Sequence, residues 1–163
     1  MASSSKKSTA SRRPRTDAIA ILKADHRQVE QWFAQFERAG KPRRQQLADY
    51  ICDALTVHTL IEEEIFYPSF LDATEDKDTH HEAVVEHAAA KNLIAEIRGM
   101  SAADDYFHAK MTVLSEMIKH HVKEEEQPGG MFAEARKSRM DLRELGEELL
   151  ARKKQLQAQR RAA

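Results

Sequence analysis

The chain has 163 residues and a formal net charge of -1, so a single domain with a sizeable core is expected and there is no whole-chain electrostatic case for nucleic acid. Glycine and proline number only 5 and 4, and charged residues make up 33%, a mixture that favours an all-helical protein. A lone cysteine, Cys52, excludes an intramolecular disulfide and any thiolate-rich metal site, and no apolar run approaches about 18 residues, which excludes a membrane span; a reduced, cytoplasmic protein is the simplest reading.

Residues 1–16 carry Lys6, Lys7, Arg12, Arg13 and Arg15 and no acid, and read as a disordered basic tail. A solvated tail is its simplest role, ahead of a weak nucleic-acid or membrane contact or a transit peptide. A first helix is capped by Thr16 or Asp17 and carries the stripe Leu22, His26, Val29, Phe33, Phe36 before stopping at Gly40–Pro42. A second is expected from Arg43 to Phe70, with the stripe Leu47, Ile51, Ala54, His58, Glu62, Ile65 and a kink or stop at Pro68.

The third helix begins near Asp78 or Thr79 and ends at Gly99, with the stripe His80, Val84, His87, Ile94, Ile97. A fourth begins near Ser101, carries Phe107, Met111, Leu114, Ile118, His121 and Glu125, and stops at "QPGG". A fifth starts at about Met131 or Asp141, with Asp141 and Glu144 as a capping pair and Leu142, Leu145, Leu149 and Leu156 along one side. Four apolar stripes with short connections predict an antiparallel up-down-up-down four-helix bundle over residues 17–132. Residues 133–163 add a C-terminal amphipathic helix, whose leucine row either folds back on the bundle or pairs with a second copy as a homodimer.

Each bundle stripe contains one histidine: His26, His58, His87 and His121. Two stripes add a glutamate one turn later, Glu62 and Glu125. A buried ionised carboxylate is costly unless it is paired or holds a metal. Four inward histidines, two of them with such a glutamate, therefore point to a metal site rather than to isolated core polar residues. Counting from helix ends puts these residues level, except that His87 lies 12 residues before Gly99 while His121 lies 20 after Ser101. That last count closes only if the fourth helix starts later, after a looped "SAADD". In "KHHVKEEE", His121 and Glu125 continue the stripe, whereas His120 and Glu124 are rotated by about 100°. Imidazole and carboxylate without thiolate suit iron, manganese or zinc, and six ligands exceed one tetrahedral zinc site. The Glu-x-x-His pairs of ferritin-like di-iron bundles are absent from the sequence.

The segments "ADHRQVEQWF", "HTLIEEEIFYP", "VEHAAAKNLI" and "HVKEEE" resemble the hemerythrin-like (HHE) cation-binding family, over roughly Asp17 to Phe132. The resemblance implies two non-haem iron ions with an oxo or hydroxo bridge. It implies His26, His58, His87 and His121 as terminal ligands and Glu62 and Glu125 as bridging carboxylates. It also implies a small diatomic or peroxide ligand (dioxygen, nitric oxide or peroxide), or else a non-catalytic iron-binding or sensing module whose occupancy controls stability or partner contacts. No nucleic-acid or membrane partner is expected.

Two departures stand out. Oxygen carriers of the family have two helix-3 histidines four residues apart, but here the positions flanking His87 are Ala83 and Lys91. His80 is about 10.5 Å away along the helix, against about 3.5–4 Å between paired metals, and His81 is on the wrong face. One ion therefore lacks a ligand or takes it from Tyr67, Glu63, Glu86 or a loop tyrosine, which argues against a plain oxygen carrier. Second, "QPGG" interrupts the end of the fourth helix, either admitting solvent or a small ligand or serving only as a turn. Glu63, Glu64, Glu124 and Glu126 are expected to be solvated or to hydrogen-bond the histidines. Glu30 falls beside the stripe, and His108 and His120 are expected to be exposed.

Overall fold

A computed structural model describes residues 16–163, and the expectations for the basic tail before Thr16 lie outside the described residues. Helix α1 (Ala18–Arg38) is capped by Asp17, whose carboxylate accepts from the Ala20 N–H at 2.9 Å. Helix α2 (Lys41–Ile61) starts two residues before the expected Arg43, because Pro42 sits in its first turn, where a missing N–H costs nothing.

The expected stop at Pro68 does not occur. A π-helical turn, Glu62–Phe66, joins α2 without a loop to α3 (Tyr67–Thr74). Inside an α-helix, proline lacks an N–H and its ring meets the carbonyl four residues back. The wider π turn changes that spacing, and Pro68 sits in the first turn of α3. The Tyr67 N–H bonds the Glu62 carbonyl oxygen, five residues back.

Helix α4 (Lys77–Arg98) is capped by Asp76, slightly earlier than expected. Its buried face is Ala83, His87, Ala90, Ile94 and Ile97, and Val84, placed on the inner stripe from sequence, is turned outward. Helix α5 (Phe107–Glu126) begins six residues after Ser101. His121 then lies 14 residues into the helix region, close to the 12 between His87 and Gly99, and the heights agree. Both starts foreseen for a fifth helix exist: α6 (Met131–Lys137) and α7 (Leu142–Ala162). Asp141 caps α7 by accepting from the Arg143 and Glu144 N–H groups at 3.1 and 3.0 Å.

α1, the continuous rod α2–α3, α4 and α5 form the antiparallel bundle, and α7 lies across α1 and α2. The leucine row folds back: Leu145, Leu149 and Leu156 are buried. Gly146 lets α7 approach closely, since a Cβ there would stand 2.8 Å from the Thr16 carbonyl oxygen. Three ion pairs fasten the same helix, Arg152 to Glu64 at 2.6 Å, Lys153 to Asp25, and Arg160 to Asp53. Among the described residues, no helix is long and apolar enough to cross a membrane.

The core is divided into two apolar clusters. One gathers Val29, Leu55, Ile94, Leu114, Ile118 and their neighbours. The other gathers Leu22, Ile61, Phe66, Phe70, Met131, Phe132 and the α7 leucines. On α1 and α4 the buried histidine falls between them in sequence, His26 between Leu22 and Val29 and His87 between Ala83 and Ala90, and the buried His58, Glu62, His121 and Glu125 of the other helices lie where the two clusters adjoin, in one polar layer.

Candidate metal centre

All six residues singled out from the sequence meet in this layer, and each is at least 95% buried. Their atoms sort into two halves. His26 and His58 face one another, Nε2 to Nε2, at 3.1 Å, and His87 and His121 do the same at 3.1 Å. Glu62 spans the halves, with Oε1 at 3.2 Å from His58 Nε2 and Oε2 at 3.3 Å from His87 Nε2. Glu125 spans them in the same way, with Oε2 at 3.3 Å from His26 Nε2 and Oε1 at 3.3 Å from His121 Nε2. The ligand atoms of His26, His58, Glu62 and Glu125 lie within 4.8 Å of one another, as do those of Glu62, His87 and His121.

The outer nitrogen of every histidine meets a carboxylate. His26 Nδ1 lies 2.7 Å from Glu126, His58 Nδ1 3.3 Å from Asp25, His87 Nδ1 3.0 Å from Glu63, and His121 Nδ1 2.6 Å from Glu86. These carboxylates accept from the outer nitrogens, which aims each Nε2 inward. Each of those carboxylates in turn has a basic partner: Arg27 on Glu126 at 2.6 Å, Lys153 on Asp25, Lys91 on Glu63 at 2.7 Å, and His120 on Glu86 at 3.1 Å. The glutamates flanking the motifs thus divide. Glu63 and Glu126 hold histidines, whereas Glu64 pairs with Arg152 and Glu124 accepts from Gln127. Glu30 pairs with Arg27 and touches no histidine of the layer.

The sequence offers Tyr67 as one of several stand-ins for the missing helix-3 histidine. Its buried hydroxyl lies 3.0 Å from His87 Nε2, 3.3 Å from His121 Nε2 and 2.9 Å from Glu125 Oε1. It therefore belongs to the half that contains the helix lacking that histidine. Glu86 is bound to His121 Nδ1 and Glu63 to His87 Nδ1, outside the layer. The signal that marks Tyr67 is its spacing. In an α-helix a residue five on from Glu62 is rotated by about 140° from it, and the i→i+5 bond of the π turn brings the two onto one face. A proline in mid-helix is the sequence sign of such an irregularity.

Electrostatics in the metal-free protein follow from this crowding. Burial works against a charge on His58, yet Glu62 and Asp25 hold it protonated, with a pKa raised to about 10. His121 is raised likewise by Glu125 and Glu86. Burial and mutual repulsion oppose ionisation of Glu62 and Glu125, and the imidazolium groups overcome both. Burial, with Glu125 and Glu62, pushes the Tyr67 phenol up.

The donor set fits a pair of cations. Glu62 Oε1 and Glu125 Oε2 are buried and accept no hydrogen bond, and both lie in the half formed by His26 and His58. Facing imidazole lone pairs at 3.1 Å repel unless a proton or a cation stands between them. On the histidine side lies a cavity of about 20 Å³, walled by Val29, Leu55, Ile118, Val122, Thr59, Asp25 and the four histidines, but not by Glu62 or Glu125. That is room for roughly one small molecule. Phe132 from α6 stacks on the His26 ring at 5.9 Å.

The fold and this layer define a cation-binding four-helix bundle. The chain belongs to the hemerythrin family: residues 17–128 match the hemerythrin HHE cation-binding domain. It is similar to a solved hemerythrin HHE cation-binding domain-containing protein, an Rv2633c homologue from Mycobacterium kansasii, with a TM-score of 0.72, 22% identity and 88% of each chain covered. A curated relative, named a DNA nickase, from Nostoc sp. (strain PCC 7120 / SAG 25.82 / UTEX 2576) is 27% identical over 107 residues, which is 65% of this chain and 30% of that protein. The match thus spans less than a third of that relative's length.

Proposed function

We propose that this protein holds two iron ions in the polar layer and uses them to bind or react with a small oxidant such as dioxygen, peroxide or nitric oxide. One observation carries the reading: two buried carboxylates each offer one oxygen to each of two histidine pairs. A single ion would use only half of this arrangement. Iron bound there would supply redox chemistry at a site that excludes bulk water. The chain's own contribution is orientation: Glu126, Asp25, Glu63 and Glu86 fix the imidazoles with their Nε2 atoms inward. The small cavity beside the histidines, with Val29, Leu55, Ile118 and Val122 in its wall, suits a small uncharged ligand, and Tyr67 supplies an oxygen donor to the half formed by His87 and His121.

The test is metal analysis of the full chain after iron loading under anaerobic conditions. Two irons per chain are expected, with absorption bands that depend on His58 and change when peroxide or nitric oxide is added. One ion per chain, or none in a folded protein, would overturn the dinuclear reading. A second reading is a non-catalytic sensing module. It is favoured by the chain Lys153–Asp25–His58, which links α7 to the centre. It predicts a higher melting temperature on iron loading, with no consumption of peroxide or nitric oxide.

A further inference from the structure

Between α4, the end of α5 and α6 lies a second cavity, of about 100 Å³. Glu82, Glu86, Glu124 and Glu134 line it with no lysine or arginine, so carboxylates outnumber the one basic side chain, His121, at its inner end. It reaches the centre, for His121 and Glu125 also form part of its wall. The four outer carboxylates are unequally engaged. Glu86 is held by His121 and His120 at 2.6 and 3.1 Å, and Glu134 by Lys137 at 3.0 Å. Glu124 accepts only from the neutral Gln127 amide at 2.9 Å, and Glu82 makes no hydrogen bond or ion pair among the described residues. Glu125, 2% exposed, stands at the cavity's inner end, with Oε1 toward His121 and the unpartnered Oε2 beyond it toward His26. The "QPGG" segment shapes the opening. Gly129 has a φ of 77°, and a Cβ on Gly130 would lie 2.4 Å from the Glu124 carbonyl oxygen, so the turn folds tightly against the helix end and its residues form one wall.

We propose that this cavity is the port by which divalent cations reach the centre, with Glu82 and Glu124 attracting the ion and Glu86 marking the last step before His121 and Glu125. The proposal rests on the reading of the polar layer as a cation site. A cleft in which one sign of charge predominates concentrates counter-ions and speeds their arrival. A dication losing its water needs anionic oxygens along the way. The 20 Å³ cavity on the histidine side has room for about one water and none for a hydrated ion. The histidine side thus suits an uncharged ligand and the carboxylate side the metal.

The test is stopped-flow uptake of Co²⁺ by the metal-free full chain, read from the absorption of the bound ion. The variant Glu82→Gln/Glu124→Gln is compared with Asp49→Asn/Asp105→Asn, which removes the same charge from the far end of the bundle. At low ionic strength the first variant should load about tenfold more slowly and the second within about twofold of the wild-type rate. The gap should shrink at about 0.5 M salt, and the cations bound per chain at equilibrium should be unchanged. Equal rates in all three proteins, or equal slowing by both variants, would overturn the port. Fewer cations bound by Glu82→Gln/Glu124→Gln would assign those carboxylates to the centre itself and also overturn it. Wild-type protein that takes up no cation at equilibrium would instead overturn the reading of the centre.

Discussion

Tyr67→Phe removes one oxygen from the middle of the centre and little else. In the metal-free protein the phenol donates to Glu125 Oε1 at 2.9 Å and stands 3.4 Å from Glu62 Oε2. Its pKa is raised by burial and by both carboxylates, so it remains a donor at neutral pH. Without it, Glu125 Oε1 faces only His121, beside two carboxylate oxygens already lacking partners. Loss of a buried hydrogen bond to a charged acceptor costs roughly 1.5–3 kcal/mol. The phenylalanine ring retains the packing on His87 and Phe66, so little cavity cost is added. A loss of about 2 kcal/mol corresponds to roughly 4–8 °C in a domain of this size. Thermal and urea unfolding in the presence of a chelator measure it, and a loss below about 0.5 kcal/mol, within the range of ordinary surface substitutions, would refute the placement of the hydroxyl. Cation titration supplies a second reading. Binding at the half formed by His87 and His121 should weaken by about tenfold or more, while the other half binds as before. Equal weakening of both halves would refute the assignment of Tyr67 to one of them.

Asp25→Asn keeps the shape beside His58 but removes the charge, and should lower cation affinity by about 10–100-fold; competition against a chelator measures this, and unchanged affinity would show that the contact does not position His58. Gly146→Ala sets a Cβ 2.8 Å from the Thr16 carbonyl oxygen and should cost about 1–3 kcal/mol, with earlier proteolysis of α7; a variant as stable as wild type would show that α7 does not need this close approach. The pH dependence of the metal-free protein has a definite sign. His58 is raised from 6.5 to about 10, so its contribution is complete below 6.5 and is lost as pH rises towards 10. Glu62 and Glu125 are lowered from 4.5, so theirs is complete above 4.5 and is lost in acid. Stability of the chelated protein should therefore peak between about 4.5 and 6.5, and a urea midpoint still rising above pH 7 would contradict the ion-pair network.

Bundle, stripes and the six inward residues were legible because each follows from the 3.6-residue period of a straight α-helix. The discrepancies lie where that period fails or where partners are distant in sequence. The rod through Pro68 and the position of Tyr67 both depend on the π turn, which no periodic count contains. The later start of α5 was visible only as a mismatch in heights across the "SAADD" loop. On α4 the inward row is Ala83, His87, Ala90, Ile94 and Ile97, so Ala83 takes the place expected of Val84; alanine is a weak apolar signal beside valine, which shifts the stripe read from sequence by one residue. Asp25 shows the other limit. It stands beside His26 in the chain but serves His58 from across the helix pair, and its basic partner Lys153 comes from 128 residues away. Pairings of that kind belong to the tertiary structure, and nothing local marks them.

Protons on His58 and His121 already offset the charges of Glu62 and Glu125, and the outer carboxylates of Glu126, Asp25 and Glu63 are offset by Arg27, Lys153 and Lys91. Cation binding therefore exchanges one set of positive charges for another. The fold, with two large apolar clusters on either side, should persist without metal, unlike small domains whose cores form only around an ion. Loading should release protons into the solvent, and cation affinity should fall steeply as pH drops. Proton release on titration with Co²⁺ in weakly buffered solution tests the exchange. Uptake with no proton released at pH 7 would mean that the inward nitrogens are already free, and that the hydrogen bonds to the outer carboxylates, rather than the charges, set the state of the centre.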